Sequence, residues 1–312
     1  MILHTLACSW SFKLTQRAQL LRFIGLCSLL WSVSLATLAQ VIISAERDSL
    51  AVREFARELI HSLPSYNISY MPRVQLEQQQ HFADDVQLIL LGPQLLDWRL
   101  QLTHSQPPTI IMQVSRVQAQ QRFAAKIPQH LTLMWSDPPP ARQIALLKTM
   151  QPDVRHVGVL LSESSAFLLP EIIRALNAQG LLMHTYNWSG DYVARGFHRL
   201  LNDTDALLGL DDVQVYNSST IKHILLSSYA RKKALIGPTA AYIKAGSLAS
   251  TYSSKENWLT TLGAILQTPA QQWPRSLYPD TFEVLVNQQV ARSLGVQSKP
   301  ALELGQSLQR PR

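Results

Sequence analysis

The chain has 312 residues and a formal net charge of +7, with 28 Lys and Arg against 21 Asp and Glu. The longest basic run is Arg231 to Lys233, and no dense basic stripe with interleaved aromatic residues occurs, which argues against nucleic acid as a partner. The two cysteines, Cys8 and Cys27, precede residue 40, so the rest of the chain forms neither disulfides nor cysteine metal sites.

Residues 1–39 have the pattern of an export signal. Lys13, Arg17 and Arg22 precede an apolar stretch from Phe23 to Ala39, and the segment contains no acidic residue. The stretch is at the short end for a bilayer span and finishes in small residues. We expect cleavage after Ala39 and a periplasmic location in a Gram-negative bacterium. The alternative is an uncleaved N-terminal anchor, and either reading puts the folded part outside the cytoplasm.

After residue 40, short apolar runs alternate with amphipathic helical stretches. The predicted strands are VIIS (41–44), VQLILLG (86–92), TIIMQV (109–114), LTLMWS (131–136), VGVLLS (157–162), LLMHTYN (181–187), ALLGL (206–210) and ALIG (234–237). This alternation predicts an α/β fold with mainly parallel sheets flanked by helices. SLAVREFARELIHSL from Ser49 and LLPEIIRALNAQG from Leu168 have helical apolar spacing, and Gly180 is predicted to end the second helix.

The proline cluster in SDPPPAR (136–142) separates two such series of strands and helices. It predicts two lobes joined by hinge crossings, with residues 40–136 in the N-terminal lobe and 137–250 in the second lobe. We expect residues 251–296 to hold the returning crossing and elements shared between the lobes, and 297–312 to form a flexible tail. The alternative is a single large doubly wound domain. Two lobes would leave a ligand cleft between the carboxyl ends of their strands.

Three ordered motifs carry a resemblance to a known family. They are SDPPPARQIALLKTMQPDVRHVGVLLS (136–162), ALLGLDDVQVYNSSTIKHILLSSYARKKALIGPTAAYIKAGSLASTYSS (206–254) and FEVLVNQQVARSLGV (282–296). These motifs resemble the substrate-binding proteins of ABC transporters, of the type that includes the tryptophan-uptake binding protein. The resemblance implies a periplasmic-binding fold of type I, with two lobes that each contain a mainly parallel sheet flanked by helices.

The resemblance also implies a function. A periplasmic receptor of this kind binds a small-molecule ligand and delivers it to an inner-membrane permease with its ATPase. The alternative is a ligand-sensing accessory protein for a membrane receptor or kinase, without a transport role. Two departures, LLGPQLLDW (90–98) and Arg116 in QVSRVQ, differ from the family pattern at strand ends. Tryptophan specificity is therefore not carried over, and an amino acid, a small anion and a nucleoside stay open.

Loops at strand ends and helix N-termini supply the candidate ligand-binding residues, because helix ends favour anionic groups. The candidates are Gly92, Pro93, Gln94, Ser115, Arg116, Ser162, Ser164, Ser165, Asp212, Tyr216 and Thr239. Asp212 resembles a strand-end aspartate that faces the cleft in the family, but an aspartate there is equally a helix cap. Arg116 could pair with a ligand carboxylate or phosphate, or be a solvated loop residue. The serines could bind a ligand or stabilise turns.

Patterns typical of catalysis do not occur in the sequence. The histidines are spread singly, without the spacing of a metal site. No nucleophile elbow and no glycine-rich phosphate loop occurs. We therefore expect a binding protein that is not an enzyme and that uses no metal or cofactor.

Overall fold

The computed structural model describes residues 40–123, 126–189 and 194–309. The predicted export signal, 1–39, lies outside the described residues. No helix within the described ranges has both the length and the apolar character needed to cross a membrane.

The described residues form twelve strands and twelve α-helices. The strands are β1 Gln40–Ala45, β2 Asn67–Tyr70, β3 Val86–Leu91, β4 Thr109–Val114, β5 Leu131–Trp135, β6 His156–Leu161, β7 Leu182–Asn187, β8 Ala206–Leu208, β9 Ala234–Ile236, β10 Ala249–Tyr252, β11 Ser276–Leu277 and β12 Glu283–Val286. The helices are α1 Leu50–Ser62, α2 Arg73–Gln78, α3 Pro93–Gln101, α4 Arg116–Gln120, α5 Pro140–Met150, α6 Leu169–Ala178, α7 Ala194–Asn202, α8 Ile221–Tyr229, α9 Ala241–Ala245, α10 Lys255–Leu266, α11 Gln288–Leu294 and α12 Ala301–Gln309.

The strands build two six-stranded sheets, one for each lobe. The first has the order β11-β5-β4-β3-β1-β2, and every neighbouring pair in it is parallel. The second has the order β12-β10-β9-β8-β6-β7 and is parallel except for the antiparallel pair β10 and β12. Every strand that the sequence predicts is present, and the α/β fold of two lobes is confirmed.

Apolar layers cover both faces of each sheet. Neighbouring residues of β1 serve opposite faces: Ile43 packs with Phe55 and Leu59 of α1, and Ile42 packs with Leu95 of α3. In the second lobe α5 and α6 cover one face, and α7 and α8 cover the other. Burial on both faces explains why these strands are near-continuous apolar runs. Gly180 follows α6 with a φ of 67°, as its predicted role at the helix end requires.

The chain passes between the lobes at 136–139, 253–254 and 278–282. The first crossing leads from β5 to α5, whose apolar face packs in the second lobe. The second leads from β10 to α10, whose Leu262 and Ile265 pack in the first lobe. The third leads from β11 to β12. Each sheet therefore contains one strand that the chain contributes after it crosses back from the other lobe: β11 in the first sheet and β12 in the second.

The C-terminal segment differs from the expected flexible tail. Residues Ala301–Gln309 form α12, in which Leu304 is 1% exposed and packs in the core of the second lobe. The side-chain amide of Gln309 also donates a 2.6 Å hydrogen bond to the Phe282 carbonyl. The helix is stable because Leu304 and Leu308 pack against the core of the second lobe.

Candidate ligand-binding cleft

A cavity of about 860 Å³ lies where the carboxyl ends of β1, β3 and β4 face the second lobe. Residues 239–241, at the start of α9, contribute the wall from the second lobe. The first and second crossings supply Ser136 and Ser253, β10 supplies Tyr252, and α10 supplies Trp258. The volume lies within the usual range for small-molecule sites, and both lobes and their crossings line the cavity.

Glu46 and Gly92 form one end of this cleft. The Glu46 carboxylate accepts a hydrogen bond from Gln94 N–H, 3.3 Å away, at the N-terminus of α3. Gly92 has a φ of 110°, and a Cβ there would lie 2.7 Å from Glu46 Oε2. The carboxylate thus stabilises the positive end of the helix, and only glycine allows it to approach so closely.

Gln113 contributes a polar side chain from the first lobe. It has a φ of 56°, lies where the β4–β5 register shifts between Ile111 and Val114, and has an exposed side chain. Left-handed backbone is uncommon for a residue other than glycine and tends to occur at functional sites. No sequence signal marks Gln113, because it reads as one more residue of a strand.

Aromatic side chains form a second part of the lining. Phe55 is buried, whereas Tyr252 and Trp258 are half-buried. Trp258 Nε1 donates a 3.0 Å hydrogen bond to the Ser253 carbonyl, which fixes its ring beside the second crossing. The nearby Lys255 ammonium pairs with Glu58 at 2.7 Å. The cleft therefore combines flat apolar surface with the polar groups of Glu46 and Gln113.

The structure brings three of the predicted ligand residues together in this cleft: Gly92, Pro93 and Thr239. Gln94 lies beside it, but its backbone N–H binds Glu46 and its side-chain oxygen accepts a hydrogen bond from Arg73. Gly92, Pro93 and Thr239 come together because the carboxyl ends of parallel strands meet at one edge of a sheet.

Ser115 and Arg116 lie where the two lobes touch. The Ser115 hydroxyl accepts a hydrogen bond from Gln118 N–H, 3.3 Å away, as the cap of α4. Arg116 Nη1 lies 2.5 Å from Glu171 Oε2 of the second lobe, and its guanidinium is 5.7 Å from the Phe167 ring centroid. Arg116 also lines a separate cavity of about 530 Å³. The Arg116 guanidinium is therefore part of an ion pair between the two lobes.

Asp212 and the serine loop bind one another inside the second lobe. Asp212 is 1% exposed and accepts hydrogen bonds from the Ser162 hydroxyl at 2.6 Å and Gln214 N–H at 3.0 Å. Ser165 is fully buried, and its hydroxyl accepts a hydrogen bond from Ser162 N–H at 3.1 Å. Of this loop, Ser164 contacts the first lobe, where it accepts a 3.0 Å hydrogen bond from Gln121. Asp212 therefore stabilises the turn after β8 and caps no helix, because α8 begins only at Ile221.

Tyr216 packs in the core of the second lobe instead of facing the cleft. It is 1% exposed, and burial raises the pKa of its hydroxyl, which has no hydrogen-bond partner among the described residues. Its ring centroid lies 6.2 Å from that of Tyr242, whose hydroxyl donates a 2.6 Å hydrogen bond to the Tyr216 carbonyl. These contacts fix the loop after β8.

Two other aspartates, Asp137 and Asp211, face the boundary between the lobes. Burial raises the pKa of the Asp211 carboxyl and the nearby Ser115 side chain opposes that shift, so Asp211 faces the first lobe, whereas its neighbour Asp212 is buried in the second lobe. Asp137, in the first crossing, is 7% exposed and accepts a 2.9 Å hydrogen bond from Arg116 N–H. Burial raises the pKa of the Asp137 carboxyl to about 7. The sequence shows both aspartates but not their orientation.

Across 40–123, 126–189 and 194–309, no group of three or more His, Cys, Asp or Glu residues could hold a metal ion.

Comparison with solved structures shows the same architecture. A substrate-binding protein with adhesive properties from Clostridium difficile, in its ligand-free, open form, matches with a TM-score of 0.64 at 16% identity, over 85% of this chain and 97% of its own. A conserved domain protein from Vibrio cholerae matches with a TM-score of 0.56 at 16% identity, over 86% and 98%. An ABC domain in complex with L-Trp from Streptococcus pneumonia matches with a TM-score of 0.55 at 15% identity, over 86% and 98%.

Neither a protein-family model nor a curated protein matches the sequence. At these identities the likeness concerns the fold alone, which in this chain is two mainly parallel sheets joined by crossings. The chain has the fold of the periplasmic binding proteins of type I.

Proposed function

We propose that this protein is the periplasmic solute-binding component of an ABC-type importer and binds a small molecule in its inter-lobe cleft. The observation that carries the proposal is the cavity of about 860 Å³, which both lobes and their crossings line. A ligand in such a cavity contacts both lobes at once, as capture between lobes requires. The fold shared with substrate-binding proteins supports the same conclusion.

The ligand would act by stabilising the closed arrangement. Gly92 and Gln113 face the cleft from the first lobe and Thr239 faces it from the second, so only a closed form offers all three to one ligand. A ligand shifts a conformational equilibrium by its difference in affinity for the two forms. Movement about the crossings then presents both lobes together to a permease.

The proposed contact residues combine sequence and geometry. Gly92, Pro93 and Thr239 contact the ligand as the sequence predicts, and Gln113 and Trp258 join them because they line the same cavity. The Gln113 amide both donates and accepts hydrogen bonds, while the Trp258 ring offers a stacking face. Ser115, Arg116 and Ser164 act in closure, through their contacts across the lobe boundary.

A binding screen tests the proposal. Amino acids, small anions and nucleosides are added to the protein, and both its melting temperature and its tryptophan fluorescence are recorded. The L-Trp complex of a protein with this fold makes aromatic amino acids the first probes. We expect one class to raise the melting temperature, as ligands that bind only the folded state do.

The variants Gln113→Ala and Thr239→Ala locate the site. Each should weaken binding about tenfold, since a lost hydrogen bond to a ligand costs roughly 1.4 kcal/mol. Gln101→Ala, at the exposed end of α3, is the matched control and should bind as the wild type does. Equal affinities in all variants would show that the ligand binds elsewhere. Transport is tested separately, by measuring whether cells that lack the protein take up less of that ligand.

A further inference from the structure

Glu46 presents a half-buried carboxylate to the cleft with most of its hydrogen-bonding capacity unused. It follows β1 and lines the cavity of about 860 Å³. Within the described part of the chain, this carboxylate accepts one hydrogen bond, from Gln94 N–H at 3.3 Å, and no lysine or arginine pairs with it. A carboxylate offers about four acceptor positions on its two oxygens. Glu46 therefore has acceptor positions left for a ligand.

The position of this carboxylate is fixed by its neighbours. A Cβ on Gly92 would lie 2.7 Å from Glu46 Oε2 and 2.9 Å from Glu46 Cβ, so the start of α3 packs directly against the side chain. The Glu46 backbone N–H donates a 2.9 Å hydrogen bond to the Leu91 carbonyl, which continues the pairing of β1 with β3. An acceptor that is already held in place loses little conformational entropy when a ligand binds.

Aromatic rings lie in the same cavity. Phe55 of α1, Tyr252 of β10 and Trp258 of α10 line it, and Trp258 packs against the apolar cluster that includes Phe55. The polar atoms of two rings already have partners. Trp258 Nε1 donates a 3.0 Å hydrogen bond to the Ser253 carbonyl, and the Tyr252 hydroxyl donates a 2.7 Å hydrogen bond to Glu283. These side chains therefore offer a ligand their ring faces, which attract cations.

The basic groups around the cavity do not offset the charge of Glu46. Lys255 lines the cavity, but its ammonium pairs with Glu58 at 2.7 Å. Arg47 also lines the cavity, but it is exposed, so water and salt screen its charge. The N-terminus of α3 adds only a partial positive charge. Among the described residues of the lining, a ligand carboxylate meets no buried cation, whereas a ligand ammonium meets a half-buried carboxylate.

We propose that the ligand is an organic cation, in which Glu46 binds an ammonium group and Tyr252 and Trp258 stack on an apolar or aromatic body. The inference deepens the proposed function and rests on it. Hydrogen bonds between an ammonium and a carboxylate are stronger than neutral ones, and the ring faces add a cation–π attraction. Small anions and nucleosides lack the ammonium group. A free amino acid has it, but its carboxylate adds a charge of the same sign as Glu46.

Three compounds with one aromatic ring and different charges test the inference. They are 2-phenylethylamine, phenylalanine and 3-phenylpropionate, and tryptamine, tryptophan and 3-indolepropionate form a second series with a larger ring. Titration calorimetry with the wild type measures each affinity. In at least one series we expect the amine to bind most tightly, the amino acid about tenfold more weakly because of like-charge repulsion, and the anion not measurably.

Glu46→Gln tests the carboxylate itself. The amide oxygen of glutamine still accepts the hydrogen bond from Gln94 N–H, so the variant removes the charge and keeps the contact with α3. We expect it to bind the amine about 10- to 100-fold more weakly than the wild type. Asp84→Asn removes an exposed carboxylate before the first residue of β3, at the other end of that strand, and should bind as the wild type does. If Glu46→Gln does not fold, the charge series with the wild type decides.

Two results would overturn the inference alone. One is an anion or an uncharged compound that binds at least as tightly as the amines, with an affinity that Gln113→Ala and Thr239→Ala lower. The other is a Glu46→Gln variant that binds the amine as the wild type does. In both cases a ligand still binds, so the proposed function stands. If no compound of either series or of the wider screen binds, the proposed function is wrong, and the inference is wrong with it.

Discussion

Arg116 of the first lobe and Glu171 of the second lobe form an ion pair with 2.5 Å between Nη1 and Oε2. Their side chains are 19% and 29% exposed, so water is only partly excluded. The pair lies at the boundary that must separate when the lobes open. Beside it, Gln121 donates a 3.0 Å hydrogen bond to Ser164 across the same boundary. The two contacts form a polar latch that joins α4 and Gln121 of the first lobe to Ser164, in the loop after β6, and to Glu171 of α6.

Removing this latch should favour the open form. We expect Arg116→Gln to weaken ligand binding about threefold, because partly exposed ion pairs contribute about 0.2–1 kcal/mol. Titration calorimetry with the ligand from the screen measures the change. Lys299→Gln removes an exposed ion pair with Glu303 of α12, away from the cleft, and should leave affinity unchanged. If both variants bind alike, Arg116 has no part in closure.

Gly92→Ala should destabilise the first lobe by about 2–3 kcal/mol. Alanine is strained at a φ of 110°, and its Cβ would meet Glu46 Oε2 at 2.7 Å. Gly180→Ala is the matched control, because Gly180 has a φ of 67° with nothing within 4 Å of the added Cβ, so it reports backbone strain alone. Urea denaturation compares the two. A cost no larger than that of Gly180→Ala would show that the Glu46 carboxylate moves freely.

Asp212→Asn should lower stability and leave the affinity of the folded protein for its ligand unchanged. Asp212 is 1% exposed, and its carboxylate accepts a 2.6 Å hydrogen bond from Ser162 inside the second lobe. Weakening such buried hydrogen bonds costs about 1–3 kcal/mol in the free energy of unfolding. Urea denaturation and calorimetry separate the two effects. A loss of affinity with normal stability would show that Asp212 contacts the ligand.

Leu304→Ala should destabilise the second lobe by about 2–3 kcal/mol, since Leu304 of α12 is 1% exposed in the core. Leu302 lies in the same helix but is 75% exposed, so Leu302→Ala is its control and should change the free energy of unfolding by less than about 0.5 kcal/mol. Thermal denaturation measures both. Equal changes in the free energy of unfolding would mean that α12 does not pack against the second lobe in solution.

The fold follows from local patterns to a large extent. Apolar runs such as Val86–Leu91 and Thr109–Val114 are buried on both faces, and this burial is visible in the sequence as a lack of polar alternation. The short strand Asn67–Tyr70 was not predictable in this way, because it lies at the sheet edge and begins with an exposed asparagine. Helix α12 was missed because its burial depends on a partner distant in the chain.

The apolar runs predict where the strands end, and parallel strands bring those ends to one edge, where Gly92, Pro93 and Thr239 line the same cavity. The opposite orientations of Asp211, toward the first lobe, and Asp212, into the second lobe, depend on tertiary contacts. Adjacent residues of a loop carry no periodic signal of direction. Their orientation is set by contacts with Ser115 and Ser162, which come from segments far away along the chain.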